Sequence, residues 1–595
     1  MSRANGDGQL SDPASEATDA AIAVAASPTV HIPPAARAEA AALFGLAAPC
    51  CVALLAEVGM SLTTVVLALG RFSDPALVGG AAVAISVFNA FAAAPTLGAA
   101  SAQSTLAAAA FGAGAFAQVG LLAQRGLFVS IVFSVVVLPL LLHPRRLLAV
   151  ALGGDDAGVV TVASVYLRWS SMAIFPVVAY DSLRRYLLAG GLAAPMVSSS
   201  IAALFTNTSA HAGLVFWASA VSPPPSSTTL ARVSALALTA SHVVNAVVLL
   251  AIVITRRLLP LCWTGWSPAA AFAPAHLRSY LRLAAPGAAQ ECAEWWALEV
   301  TNLVAARFGP IVLAAHVVLA NLAFLAYLAP HAVGTGAATR VGAALGAHRA
   351  SAARMAALVA LAAGGGLAAA QAAAIVSSAP LWSVLYSRNE NVVGVVRAVA
   401  PLLGAYVVAD GCTAALSGIL RGSGRQVLGA WGAVLLFWVV GLPVGAAAAT
   451  VAAHAEWGSV ATLCGLWGAV AMAADELELT TDCLSYDVAT LYASSFAGLM
   501  GGVVRHYLRE PARIGAYLET LPSYARPDKR AAACQSRYGP SSGSRTRSGA
   551  RQAVSRWERR LLKGAGQGVL TSLNMNAYPA LLVATNRMTP CTLRV

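Results

Sequence analysis

The chain has 595 residues, of which 58% are hydrophobic and only 11% charged, with a formal net charge of +13. Soluble domains carry about a quarter charged residues, so this composition excludes a soluble enzyme. The location of the positive charge argues against a nucleic-acid partner. Residues 509–595 hold fifteen Arg or Lys against four Asp or Glu, and a basic segment beside a membrane span reads as a solvated cytoplasmic tail.

In chain order, residues 1–40 are expected to form a disordered cytoplasmic tail. Their first 35 residues are polar and lack the basic-then-apolar pattern of a signal peptide. Apolar runs approaching the ~20 residues that span a bilayer then predict spans near 41–69, 76–100, 119–142, 159–180, 190–217 and 234–255. These six make an N-terminal lobe over 41–255. A linker at 256–282 leads to a second lobe over 283–508, with spans near 283–308, 311–337, 353–380, 394–418, 427–452 and 458–474. GLWGAVAMAA (465–474) runs straight into DELELTTD, so VATLYASSFAGLMGGVVRHYL (488–508) is a candidate thirteenth span. A basic, disordered tail is expected over 509–595. The nine cysteines are scattered without a metal or disulfide spacing. The expected fold class is an all-α polytopic membrane protein, with twelve or thirteen transmembrane helices in two pseudo-symmetric six-helix lobes.

Basic residues in short loops set the orientation. With a cytoplasmic N-terminus, the inner loops carry Arg184, Arg185, Arg256, Arg257, Arg278, Arg282, Arg340, Arg349, Arg354, Arg421 and Arg425. Both termini are therefore expected inside, in the plasma membrane or a vacuole-like organelle membrane.

The two lobes repeat. AAPCCVALLAE (47–57) aligns with AAPGAAQECAE (284–294), placing Pro49 on Pro286 and Glu57 on Glu294. AISVFNAF (84–91) aligns with HVVLANLAF (316–324), placing Asn89 on Asn321. STLAAAAFGAG (104–114) aligns with ATRVGAALGAH (338–348), placing Thr105 on Thr339. A repeat of six spans enters the membrane twice in the same direction. That is a transporter plan, with the substrate site between the halves.

ECAEWWALEV (291–300) puts Glu291, Glu294 and Glu299 into an apolar run. At ~1.5 Å per residue from Pro286, Glu294 is ~12 Å and Glu299 ~20 Å into the helix. An acid at mid-membrane costs ~2.5–3.5 kcal/mol, so it normally faces a cavity or a partner. Asp410 interrupts the run PLLGAYVVADGCTAALSGIL (401–420) in the same way. A neutral or ion-paired core role is the alternative for the glutamates, and a helix-capping role for Asp410. Trp295 and Trp296 are either packing residues or a lining for aromatic cations. His316 and His331 are isolated, unlike the clustered groups of a membrane-embedded transferase. No nucleophile–base pair or phosphate-binding loop is present, so no enzyme activity and no cofactor are expected.

SGILRGSGRQVLGAWGAVLLFWVVGLPVG (417–445) resembles the signature of eukaryotic multidrug and toxic compound extrusion transporters. LRGSGRQ (with Leu420, Arg421, Gly422, Gly424 and Gln426) and GLPVG (with Gly441 and Pro443) carry it, together with EWWALE (294–299) and TRVGAALGA (339–347). The resemblance covers roughly residues 40–470. It implies two six-helix lobes around a cavity, working as a monomer, and export of cationic or amphipathic small molecules in exchange for H⁺, with Na⁺ as the lesser alternative. It also implies coupling at Glu294, Glu299 and Asp410, and a cavity containing Glu291, Trp295, Glu57, Asn89, Asn321 and Tyr327. The chain departs from the family pattern at Asn321, where animal-type members often carry Glu. It departs again at Ser104 and Ala109, where Asp and Gln are usual, and near Ser61, Thr63 and Thr64, where many prokaryotic relatives carry Asp. These departures favour coupling through the second lobe. A transport-inactive relative is the alternative that the interrupted twelfth span leaves open.

Overall fold

The computed structural model describes residues 34–454 apart from 73, 146–147, 149–156 and 388, together with 459, 462–464 and 466–467. Within these residues no strand occurs and eleven long helices follow one another. They are α1 (Pro34–Arg71), α2 (Pro75–Gly112), α3 (Phe116–Leu142), α4 (Gly158–Ala189), α5 (Ala194–Ala220), α6 (Ser227–Thr255), α7 (Pro274–Ala306), α8 (Pro310–Gly346), α9 (Ala350–Ser377), α10 (Glu390–Gly422) and α11 (Gln426–His454). Nine are long and apolar enough to cross a membrane. The exceptions are α5, which carries a polar stripe through Asn207 and His211, and α7, which carries the three glutamates.

The helices start and stop where local chemistry dictates. Pro75, Pro274 and Pro310 each take a first-turn position, where a missing N–H costs nothing. Asp74 caps α2 through the Ala76 N–H and Ser226 caps α6. Three rods contain π-helical turns, at 63–68 in α1, 89–93 in α2 and 434–441 in α11. Such turns free backbone carbonyls for other partners.

The eleven helices coincide with the first eleven predicted spans, with three corrections. The first helix begins at Pro34, so the end of the expected tail is helical and Glu39 is a structured residue. The seventh begins at Pro274, so the last nine residues of the expected linker are its first turns. Of the arginines expected in inner loops, Arg184, Arg185, Arg278, Arg282, Arg340, Arg354 and Arg421 instead sit within helices, Arg184 and Arg185 mostly buried in α4. Of the predicted span 458–474 only a few residues are described; the candidate span at 488–508 and the basic tail lie outside the described residues.

Small residues let the helices approach closely, as expected where lipid removes the hydrophobic drive to associate. Within the second half, a Cβ on Gly418 would lie 2.0 Å from the Gly334 carbonyl oxygen, and one on Gly334 2.3 Å from that of Ala414. Between the halves, Gly98 of α2 faces Gly287 and Ala288 of α7 at similar range. Gly112 of α2 and Gly346 of α8 close onto each other's helices. Leu43 of α1 packs over Gly336 of α8. The halves are thus joined tightly at the end carrying the α2–α3, α8–α9 and α10–α11 turns.

Candidate functional site

At its middle, α7 spreads its polar residues over two faces. Glu291, Glu294 and Gln290 turn toward α10 and α8. Gln290 Nε2 donates to Glu294 Oε1 at 3.2 Å and to Ser417 Oγ of α10 at 2.7 Å. Glu291 Oε1 accepts from Arg421 Nη1 at 3.1 Å. Asp410, also on α10, lies close enough for its charge to act on Glu294, and it has no hydrogen bond to a described side chain. The hydroxyl of Tyr327, on α8, feels the charges of Glu294, Glu291, Asp410 and Arg421 together. It pairs with His331 Nδ1 at 2.8 Å. Three carboxylates, a phenol, an imidazole and one guanidinium from α7, α8 and α10 therefore share one neighbourhood.

Glu299 does not join them. Its carboxylate accepts a short hydrogen bond from Ser86 of α2 and a long one from Asn302. Trp296, on the same face, donates its indole N–H at 2.8 Å to the Ala90 carbonyl in the π-turn of α2 and stacks near Phe91. Trp295 points the other way, with its ring 5.9 Å from Phe324 of α8. Across a single helix, the EWWALE motif thus serves the second half with Glu294 and Trp295 and grips the first half with Trp296 and Glu299.

Glu57, the repeat partner of Glu294, belongs to a separate cluster. It sits within reach of the Tyr180 hydroxyl and in the fields of Arg184 and Asp181. Asp181 takes Arg184 at 2.5 Å and Arg185 at 2.6 Å, and Arg185 continues to Ser104 Oγ at 2.6 Å and the Leu97 carbonyl at 3.0 Å on α2. Ser104, where the family pattern has an acid, therefore accepts from an arginine. Asn89 starts the π-turn of α2, and Asn321 is exposed on α8; neither makes a side-chain hydrogen bond to a described residue.

The LRGSGRQ stretch is a structural bolt. Leu420, Arg421 and Gly422 end α10; a Cβ on Gly422 would come within 2.7 Å of the Ala338 carbonyl oxygen. Gly424 turns the chain at φ 71°, the left-handed region where glycine carries no Cβ penalty. Gln426 opens α11, fully buried, and donates from Nε2 to Thr105 Oγ1 of α2 at 2.8 Å. Thr105 in turn donates to the Arg421 carbonyl at 2.7 Å. Downstream, Gly441 closes the π-turn of α11, and Pro443 follows on an exposed face.

Sequence reasoning missed three features. His331 is not isolated; the signal was its four-residue spacing from Tyr327, which puts both on one helix face. The Asp181–Arg184–Arg185 cluster was hidden because two adjacent arginines read as a loop. The Glu39–Arg340 pair, bidentate at 2.8 and 2.6 Å, joins α1 to α8, two segments no local pattern connects. Among the described residues no group of His, Cys, Asp and Glu is arranged to hold a metal.

Comparison with known proteins agrees with this architecture. The MatE family matches residues 49–210 and again 286–447, one match per half, displaced by the interval of the α1–α7 repeat. Multidrug and toxin extrusion protein 1 of Xenopus tropicalis is 27% identical over 412 residues, 68% of each chain. Multidrug and toxin extrusion protein 2 of Mus musculus is 28% identical over 415 residues, 69% of each chain. In fold, the chain is similar to the eukaryotic MATE transporter AtDTX14, with a TM-score of 0.67 and 23% identity, over 81% of this chain and 100% of that one. It is likewise similar to the Vibrio cholerae MATE transporter VcmN in the bent form, with a TM-score of 0.61 and 15% identity, over 80% of this chain and 100% of that one. A doubled family match over more than half the sequence, on a duplicated bundle of membrane helices, assigns this integral membrane protein to the MatE family of transporters.

Proposed function

We propose that the chain is a secondary antiporter that exports organic cations or other amphipathic small molecules from the cytosol in exchange for protons. The observation that carries this reading is the grouping of Glu294, Glu291 and Asp410 around Tyr327, with Arg421 in direct contact with Glu291 alone and reaching Glu294 only through its field. Glu294 and Asp410 are left without a directly bonded cation among the described residues, in a setting where an unpaired charge is costly. Either a proton or an organic cation relieves that cost, so the two compete for the same groups. Competition of this kind is what an exchanger needs: protonation from the far side weakens the hold on the solute, and solute binding from the cytosol displaces the proton.

The bolt at the inner end supports an alternating cycle. Thr105, Arg421, Gln426, Gly112 and Gly346 hold the halves together there, and cytosolic access requires them to part. Arg421 belongs to both sets. Its guanidinium holds Glu291 while its carbonyl is bonded to Thr105 of the other half, so the charge state of the site and the closure of the inner end share a residue. Glu299, tied to Ser86, contributes to the joint between α7 and α2.

The test is uptake of a fluorescent organic cation into proteoliposomes under an imposed pH gradient, comparing wild type with Glu294→Gln and Asp410→Asn at matched reconstitution. Proton-driven uptake that either substitution abolishes supports the reading. Uptake driven by a Na⁺ gradient alone replaces the proton with sodium. No flux under either gradient across a broad solute panel leaves the transport-inactive alternative.

A further inference from the structure

The strap joining the two halves, residues 256–273, is held on the first half by specific bonds. The backbone turns through positive φ at Arg257 (45°) and Leu259 (51°). The Leu259 carbonyl accepts from the Tyr186 hydroxyl at 3.0 Å, and its side chain covers Gly190. The Cys262 carbonyl lies over Gly120, so close that a Cβ there would stand 2.2 Å away. Gln124 of α3 clamps the next turn from both sides, donating to the Gly265 carbonyl at 2.8 Å and accepting from the Ser267 N–H at 3.0 Å. Arg125 Nε donates to the Ala271 carbonyl at 2.7 Å.

A segment this well anchored nonetheless turns large apolar side chains outward. Leu259 and Cys262 are buried, while Leu261, Trp263 and Trp266 are 55%, 40% and 68% exposed. The two indoles meet edge to face at 5.2 Å. In the chain they are flanked by Arg256 and Arg257, just past α6, and by Arg278 and Arg282, in the first turns of α7. All four are exposed, and none has a guanidinium bonded to a described residue. The sequence contains no Asp or Glu between Asp181 and Glu291, so nothing nearby in the chain offsets this charge. Exposed indoles with uncompensated guanidinium groups match one environment, the headgroup zone of a bilayer, where indole rings are amphipathic and basic side chains meet phosphate.

We propose that this strap is a docking surface for anionic phospholipid headgroups of the inner leaflet, with Trp263 and Trp266 inserted at headgroup level and the four arginines on the lipid phosphates. Two of those arginines follow the last helix of the first half and two begin the first helix of the second. The bound headgroups therefore touch both halves at the point where the chain crosses between them. The inference concerns binding and holds whether or not the chain exchanges protons for cations.

The experiment uses the full chain in nanodiscs. Quenching of tryptophan fluorescence by brominated phosphatidylserine is compared with quenching by brominated phosphatidylcholine. The same measurement on Trp263→Phe/Trp266→Phe isolates the contribution of the strap. The expected result is a preference for the anionic lipid carried by these two tryptophans, weakened by salt. It should fall by about fivefold for each arginine replaced by glutamine, since a basic residue at the surface contributes ~1 kcal/mol. The paired variants Arg256→Gln/Arg257→Gln and Arg278→Gln/Arg282→Gln are made separately, and the salt titration of wild type needs no variant at all. Equal quenching by both lipids overturns the proposal. So does iodide reaching Trp263 and Trp266 freely in the nanodisc, a preference that survives both paired variants, or its abolition by inorganic phosphate, which would mark a soluble anion as the ligand.

Discussion

Gly112 and Gly346, 234 residues apart, close onto each other's helices in the same way. A Cβ on Gly112 would lie 1.9 Å from the Ala343 carbonyl oxygen, and a Cβ on Gly346 would lie 1.9 Å from the Ala109 carbonyl oxygen. Ala109 and Ala343 are themselves 234 residues apart, so the crossing of α2 and α8 is a contact of the repeat with itself across its symmetry axis. Gly112→Ala or Gly346→Ala is expected to prevent this end from closing, destabilising the closed state by about 1–3 kcal/mol, the usual cost of overpacking. The check is maleimide labelling of a cysteine introduced at Ala347, in a background without native cysteines. Labelling should rise and cation uptake should fall at least about tenfold, while the amount of folded protein stays constant.

Glu39 and Arg340 add a bidentate ion pair to the same end, between α1 and α8, with both side chains mostly buried. Bidentate pairing of guanidinium and carboxylate is specific in geometry as well as charge. Glu39→Gln should weaken closure by about 1 kcal/mol, allowing for the remaining exposure. The charge swap Glu39→Arg/Arg340→Glu should recover part of the loss. If the swap labels at position 347 as readily as the single variant, the pair plays no part in closure.

Glu294 and Glu299 occupy one helix but different neighbourhoods, so their substitutions should differ in kind. Glu294→Gln is expected to remove the dependence of uptake on the pH gradient. Glu299→Gln, which replaces the charge-assisted Ser86 bond with a weaker neutral one, is expected to slow uptake while keeping that dependence. Ser86→Ala should copy Glu299→Gln. Initial rates at several gradients separate the two outcomes.

Removing Glu291 would leave the Arg421 guanidinium without its carboxylate beside Glu294. The freed positive charge then competes with an organic cation for Glu294. Glu291→Gln should therefore raise the KM for a cationic solute, by about tenfold if the freed charge costs ~1.4 kcal/mol. Glu291→Gln/Arg421→Gln should restore part of it. A KM unchanged by Glu291→Gln would show that the pair lies outside the solute's reach.

At the opposite end of the first half, the Asp74 carboxylate accepts from Ser227, at the start of α6, and from the Ala76 N–H. The Ser227 bond first, with the backbone bond behind it, holds the Asp74 carboxyl below its usual range. A depressed carboxyl contributes stability that is complete above the ordinary aspartate pKa near 3.9 and is lost as pH falls through the lower folded value. Asp74→Ala should cost about 1 kcal/mol at neutral pH, as for other lost N-caps. The difference in Tm from wild type should shrink as the pH is lowered below that range.

Much of this protein is legible without coordinates because membrane helices are local objects. A run of some twenty apolar residues must satisfy its own backbone as a helix. The positions of α1 to α11, the duplication, and the charged positions 291, 294, 299 and 410 therefore all follow from one-dimensional pattern. The family resemblance also picks out LRGSGRQ, although not its role as the turn that fastens α11 to Thr105 of the other half. What needed the tertiary structure was partnership. Glu294 and Glu299 look equivalent in sequence, yet they fall on opposite sides of α7, because the side facing α2 and the side facing α10 are chosen by packing of Gly287 on Gly98 and Gln290 on Ser417. Arg184 and Arg185 read as loop charges until α4 is seen to carry them inward to Asp181. The pairing of Glu39 with Arg340, and of each half's glycine with the other half's carbonyl, depends on how two bundles dock. Helical periodicity fixes only which residues share a face; which face meets which neighbour is set by shape and hydrogen bonding between segments far apart in the chain.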